Sequence, residues 1–191
     1  NTEITNVSCN GGSDGEIKLT ANGGTGGPFN YLWSNGLTTQ NATGLSTGIY
    51  TVEVTDFANC TVYDTLFVGE PTEMTMTSIT PIDINCFGQN NGIISALASG
   101  GTPGYTYNWS NNQIGNTITN LIQGTYYVDV IDSNGCILTD SAIINEPDVL
   151  ISILTEINPL CHNDSNGIIE VLCKGGIPPY TATYMSIAYP I

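Results

Sequence analysis

Cys9, Cys86 and Cys161 fall at intervals of 77 and 75 residues, and Cys60 and Cys136 at 76. Other marks keep the same period. Glu70-Pro71 recurs as Glu146-Pro147, and Trp33 as Trp109. Gly23-Gly24, Gly100-Gly101 and Gly175-Gly176 each follow an opening cysteine by 14 and 15 residues. A period this regular sets the fold before composition is consulted. It excludes one large domain and predicts units of about 76 residues: 1–70, 71–146 and 147–191, the last incomplete. A unit of that size can build its own core, though a marginal one. Solenoid repeats are shorter and cannot fold alone, so separate beads are expected. The third unit ends at Ile191 before counterparts of the tryptophan and the closing cysteine, and the chain begins at Asn1. A segment of a longer array is therefore expected.

Within each unit the apolar period is two. Ile17, Leu19 and Ala21 alternate with Lys18 and Thr20, and Tyr50, Val52 and Val54 alternate with Thr51, Glu53 and Thr55. Side chains two apart share one face of a strand, so these read as half-buried strands. Tyr31 and Trp33 form another such pair. The second unit repeats the pattern at Ile94, Ala96 and Ala98, at Tyr107 and Trp109, and at Tyr126, Val128 and Val130; the third offers Ile169, Val171 and Cys173. Turn dipeptides Asp14-Gly15, Asn35-Gly36 and Asn91-Gly92 punctuate the strands. No helical period occurs. Six or seven short strands per unit predict an all-β fold of tandem immunoglobulin-like antiparallel β-sandwiches. Pro71 and Pro147 stiffen the joints, so the units are expected end to end, each partnered by its neighbours in the chain.

The six cysteines carry a long, repeated separation and no Cys-x-x-Cys. His162 has no counterpart in the other units, which removes zinc and leaves disulfides in an oxidising compartment. Cys9 ends the first strand of its unit and Cys60 begins the last, and those strands can be neighbours in a sandwich. The expected bonds are Cys9–Cys60 and Cys86–Cys136, each closing about 50 residues and contributing roughly 4 kcal/mol in the chain-entropy estimate. Cys161 is left to a cysteine past residue 191, and Cys173 reads as a small buried apolar group, with a local Cys161–Cys173 bond or an external partner as the alternatives.

Charge excludes several functions. Seventeen acidic residues against two lysines give a net charge of −15. Nucleic acid and anionic membrane surfaces both require basic groups. No apolar run approaches the roughly 20 residues of a membrane span. With one histidine and no repeated polar cluster, no nucleophile–base pair can be assembled, so no enzyme activity and no cofactor are expected. Carboxylates recur at Asp56 and Asp132, Asp64 and Asp140, and Glu70 and Glu146. Calcium would suit them, but no Asp-x-Asp-x-Asp run occurs, and turns and solvation account for them first. Trp33 and Trp109 could stack on sugars, but their register with Tyr31 and Tyr107 assigns them to the core.

The set Ser8-Cys9-Asn10-Gly11-Gly12-Ser13-Asp14-Gly15, Gly23-Gly24, Tyr31-Leu32-Trp33-Ser34-Asn35-Gly36, Gly48-Ile49-Tyr50-Thr51-Val52 and Cys60 resembles the SprB repeat family, named for a gliding-motility adhesin of Bacteroidota. The second unit carries the resemblance through Asn85-Cys86, Gly100-Gly101-Thr102-Pro103, Tyr105-Thr106-Tyr107-Asn108-Trp109 and Gly124-Thr125-Tyr126. The third carries it through Leu160-Cys161, Asn166-Gly167, Gly175-Gly176 and Pro178-Pro179-Tyr180, then departs at Tyr184 and over residues 185–191. The resemblance implies a long extracellular surface filament exported by the type IX system, used in adhesion and gliding, with a surface polysaccharide or another external ligand as the full protein's target. The alternative is a spacer or glycan-binding module of a large secreted enzyme or surface protein. Asp64-Thr65-Leu66 and Asp140-Ser141-Ala142 resemble the O-glycosylation acceptor of the same bacteria, which makes Thr65 and Ser141 candidate glycan sites. The Asn-x-Ser/Thr sequons at Asn6, Asn41, Asn108 and Asn163 are discounted in a bacterial protein.

Overall fold

In the computed structural model, which describes residues 1–24, 28–161 and 165–183, every regular element among the described residues is a β-strand. His162, Asn163, Tyr184 and residues 185–191 lie outside them. The first repeat contains β1 (Thr2–Thr5), β2 (Gly15–Leu19), β3 (Asn30–Trp33), β4 (Ala42–Leu45), β5 (Gly48–Thr55) and β6 (Thr61–Val68). They form two three-stranded sheets, in the orders β1-β2-β4 and β3-β5-β6. The pairings are antiparallel, with Ile4 opposite Ile17, Trp33 opposite Val52 and Val54 opposite Val62. After the first hairpin the chain crosses between sheets at each connection until the β5–β6 hairpin closes the unit. The alternation in the sequence sets the inner faces: Ile17 and Leu19 from one sheet meet Trp33, Val52, Val54 and Val68 from the other. This is an immunoglobulin-like antiparallel sandwich with a single core. Each fully buried aliphatic contributes about 1.5–3 kcal/mol.

The second repeat follows the same plan with β7 (Thr75–Ile82), β8 (Gly92–Ser99), β9 (Thr106–Trp109), β10 (Thr117–Leu121), β11 (Gly124–Ile131) and β12 (Ile137–Ile144). Its sheets have the orders β10-β8-β7 and β12-β11-β9. The expected inward residues Ile94, Ala96, Ala98, Tyr107, Trp109, Tyr126, Val128 and Val130 are all buried. The third repeat contributes one hairpin, β13 (Ile151–Ile157) with β14 (Ile168–Lys174). Here the expected inward set departs from its counterparts. Ile169 and Val171 are exposed and Cys173 is half-buried, because no second sheet covers the hairpin among the described residues.

By packing, the chain groups into two compact units. One is Asn1–Ser78 with Leu97–Asn108 and Val128–Asp140; the other is Ile79–Ala96 with Trp109–Tyr127 and Ser141–Ile191. The first unit thus holds the first repeat, the joining segment and part of the second repeat.

Inside the first unit the joining segment is seated by the paired glycines. Gly101 donates its N–H to the Thr72 carbonyl at 2.8 Å. Gly100 adopts φ +82°, and a Cβ there would lie 1.9 Å from the Glu73 carbonyl oxygen. The other unit repeats the device: Gly176 donates to the Asp148 carbonyl at 2.8 Å, and a Cβ on Gly175, at φ +74°, would meet the Val149 oxygen at 2.0 Å. Tyr105 and Tyr180 each donate a hydroxyl proton to the carbonyl of the first glycine of the pair. The glycines are required by this backbone-on-backbone contact as much as by positive φ. Gly100→Ala is expected to cost about 2 kcal/mol or more, from the left-handed backbone and the collision together. Gly23→Ala, where a Cβ meets open space, should cost only the backbone part of that. Urea midpoints of the two variants check the difference.

Candidate functional site: the cysteine seam

Cys9 and Cys86 each sit in a turn with the same hydrogen-bond frame. Around Cys9, Ser8 N–H donates to the Asp14 carboxylate and Gly12 N–H to the Cys9 carbonyl. Around Cys86, Asn85 N–H donates to the Asn91 side chain and Gln89 N–H to the Cys86 carbonyl. A carboxylate from the end of the same repeat completes each turn. Glu70 accepts from Gly11 N–H at 2.6 Å, and Glu146 accepts from Gly88 N–H at 3.0 Å. Asn10 adds a side-chain donation to the Pro71 carbonyl. The recurrence of Glu70 and Glu146 was legible in the sequence, but their task as anchors of the cysteine turn was not.

Each closing cysteine is held by an aspartate turn. Asp56 accepts the N–H groups of Ala58 and Cys60, and Asp132 those of Asn134 and Cys136, at 2.8–2.9 Å. The other Asp132 carboxylate oxygen accepts from Thr102 N–H at 2.8 Å, which ties this turn to the Gly100-Gly101 corner. Both aspartates are buried. Burial works to raise the Asp132 pKa. Donation from the backbone of Thr102, Cys136, Asn134 and Gly135 outweighs it and holds the carboxyl below its ordinary 3.8. The folded value lies below the unfolded one, so the stabilisation is complete above about pH 4 and fades as pH falls through the folded value. Asp132→Asn should cost about 1–3 kcal/mol at neutral pH, because an amide donor can then face the Thr102 N–H. It should also flatten the acid limb of stability; urea melts at pH 7 and pH 3 measure both effects.

The disulfide of the structure joins Cys9 to Cys136, with a Cα–Cα distance of 5.7 Å. Cys60 and Cys86 carry free, exposed thiols. The expected pairings Cys9–Cys60 and Cys86–Cys136 are therefore corrected: the opening cysteine of the first repeat bonds the closing cysteine of the second. The reason is strand length. Val7 N–H donates to the Gly69 carbonyl, so the Cys9 turn lies at the far end of β6. Cys60 precedes the near end. Eight strand residues at about 3.3 Å each separate the two by more than 20 Å, against the roughly 7 Å a disulfide tolerates. The seam lies wholly inside the first compact unit. Asn134 supports it by donating its side-chain amide to the Ser8 carbonyl at 3.0 Å. Cys161 and Cys173 are both free, so no local bond joins them.

The other sequence candidates are placed apart from the seam. Thr65 on β6 and Ser141 on β12 are exposed at equivalent positions. Trp33 and Trp109 are 2% and 4% exposed, and their indole N–H groups donate to the carbonyls of Thr39 and Gly115. They form core and offer no stacking face. Among the described residues no group of three or more His, Cys, Asp and Glu side chains could hold a metal ion, and no helix is long and apolar enough to cross a membrane.

A family model described as the SprB repeat matches residues 1–38 and 78–114. Over both stretches the chain is similar to the SprB repeat. Each match runs from the first strand of its repeat past the tryptophan, and so takes in the opening cysteine and the Gly-Gly pair. The Gly-x-Tyr strand and the closing cysteine, which also prompted the resemblance, lie outside the matched residues. No curated protein matches the chain. Among solved structures, a C-terminal 282-residue fragment of intimin, in complex with the intimin-binding domain of its translocated receptor, aligns at 16% identity and TM-score 0.41. That alignment covers 78% of this chain and 66% of the fragment. An IgVJ-C2 molecule of amphioxus aligns at 16% identity and TM-score 0.34, covering 72% of this chain and 99% of that one. The complex of Dpr11 IG1 with DIP-gamma IG+IG2 aligns at 10% identity and TM-score 0.32, covering 76% and 98%.

Proposed function

We propose that this chain is a structural segment of a long cell-surface adhesin filament, in which SprB repeats in series hold a distal adhesive region away from the cell and transmit tension. Its role is mechanical, not catalytic. The observation that carries the reading is the Cys9–Cys136 bond. A cross-link from one repeat to the next ties the two together and resists extension of the array. The SprB matches supply the surface-adhesin context. Repeat boundaries at 70/71 and 146/147 follow the sequence period, and gliding motility with type IX export is the setting the family implies. The net charge of −15 keeps neighbouring filaments apart. Glycans on Thr65 and Ser141 would extend the same polar surface, and intact-mass measurement on protein from its native cells, with Thr65→Ala and Ser141→Ala as controls, tests for them.

The decisive experiment for the function uses antibody raised against residues 1–191 on intact, unpermeabilised cells, followed by detachment under flow after in-frame deletion of the segment. Surface labelling and weakened attachment with export preserved are expected. Labelling only after permeabilisation, or unchanged attachment, would remove the adhesin reading.

A further inference from the structure

The frame of the cysteine seam occurs twice in this chain, but only one bond closes it. Cys86 stands in the turn that Cys9 occupies, held by the same donations and the same terminal glutamate. Cys60 stands in the aspartate turn that Cys136 occupies. Cys9 and Cys136 are half-buried and bonded, whereas Cys60 and Cys86 are exposed. The pair that bonded is an opening cysteine with the closing cysteine of the repeat after it. Cys86 is an opening cysteine, and the cysteines that follow Cys136 in the sequence, Cys161 and Cys173, are not closing ones.

The surroundings of Cys60 match a seat for an opening turn. A groove of about 310 Å³ at the head of the second repeat is lined by Thr72, Gly101, Cys136 and Leu138, and Cys9 and Asn10 of the first repeat form part of its wall. A groove of about 330 Å³ at the head of the first repeat is lined by Asn1, Gly24, Cys60 and Val62. Val62 is 65% exposed there, while Leu138, at the same register position, is half-buried beside the occupied turn.

We propose that in an array of these repeats each opening cysteine bonds the closing cysteine of the following repeat, so that successive disulfides overlap as a covalent ladder. Cys86 takes the closing cysteine of a complete repeat after it, and Cys60 the opening cysteine of a repeat before it. Each bond forms from two thiols. A thiolate attacks an external disulfide, that of an envelope dithiol oxidase or of oxidised glutathione in vitro, and gives a mixed disulfide. The partner thiolate then displaces the carrier. Two S–H bonds of the protein and the S–S bond of the carrier are lost, one S–S bond forms in the protein, and the two electrons and two protons leave on the carrier as its two thiols. Tension then bypasses most of the backbone. From Cys136 it runs through the 25 residues to Cys161 and then across the next bond. This rests on the reading of the chain as an array segment and goes beyond it by fixing the partner of every opening and closing cysteine.

The test lengthens the chain by a second copy of residues 71–146, inserted between Glu146 and Pro147 and carrying Phe87→Tyr and Ile137→Val, at exposed positions beside its two cysteines, as mass markers, so that Cys86 gains a complete following repeat whose peptides are distinguishable from the original. The protein is oxidised with glutathione, its free thiols are alkylated, and it is digested unreduced and mapped by mass spectrometry. The expected bonds are Cys9–Cys136 and Cys86 to the closing cysteine of the inserted copy, with Cys60 alkylated. Cys86 bonded to Cys136, or Cys86 alkylated, overturns the ladder. Should the lengthened chain misfold, the same mapping on the intact polypeptide from its native cells, alkylated before lysis, reads the same outcome. There Cys86 must appear linked to a closing cysteine of the next repeat, and finding it alkylated or linked within its own repeat overturns the proposal. Failure of surface labelling would remove the adhesin function and leave this map unchanged, so the two can fail separately.

Discussion

Pulled by its two ends in non-reducing buffer, the chain should release only about a third of its contour. The Cys9–Cys136 bond removes residues 10–135 from the force path, 126 of 191. At about 3.5 Å per extended residue, the remaining 65 give about 230 Å. Adding reductant should release about 440 Å more. Bonds within each repeat would instead hide two shorter stretches of about 50 residues each and leave a visibly longer oxidised contour. The two pairings are thus separated by a difference of roughly 100 Å, well outside the resolution of single-molecule force measurement. The bond also constrains the unfolded chain. A separation of 127 residues corresponds to about 5 kcal/mol in the chain-entropy estimate, so Cys9→Ala should lower the urea midpoint markedly under oxidising conditions and change little in reductant. Gly100→Ala acts nearby by another route, since a Cβ there collides with the Glu73 backbone.

Trp33→Ala and Trp109→Ala should each cost about 3–5 kcal/mol. That is a large part of the 5–15 kcal/mol typical of a whole domain. Both rings are buried, and each indole donates to a backbone carbonyl six residues on, at 2.9 Å. Truncation therefore opens a cavity and also strands a carbonyl acceptor. Trp33→Phe and Trp109→Phe should cost less, because the ring volume is largely kept while the donor is lost. Circular dichroism in urea is the appropriate readout, since each substitution removes one of the two tryptophan fluorophores. A glycan-stacking tryptophan would behave in the opposite way: its removal would abolish polysaccharide binding and leave the midpoint unmoved.

The sandwich was legible because a sheet with one buried face writes its period directly into the chain. Ile17 with Leu19, Val52 with Val54 and Val128 with Val130 alternate in the sequence and are buried in the structure. The repeat was equally plain, since Gly100-Gly101 and Gly175-Gly176 seat the joining backbone by one contact used twice. The seam was not legible. Strand order says which strands are neighbours, but not which ends of them meet. Cys9 and Cys60 belong to elements of one sandwich yet lie at opposite ends of β6. The missing signal was the length of that strand together with the closure of Val7 on Gly69. Glu70 and Glu146 were hidden for a related reason. A carboxylate next to a proline reads as solvated until its acceptor role towards the turn N–H of Gly11 or Gly88 is located. The third repeat shows the limit of alternation itself. Ile169 and Val171 carry the right pattern, but a pattern buries nothing without an opposing sheet.

The most direct measurement is a peptide map of the oxidised 191-residue chain, alkylated and digested without reduction. The account predicts one linked pair of peptides carrying Cys9 and Cys136, with Cys60 and Cys86 alkylated. Cys9 linked to Cys60, or Cys86 linked to Cys136, would contradict it.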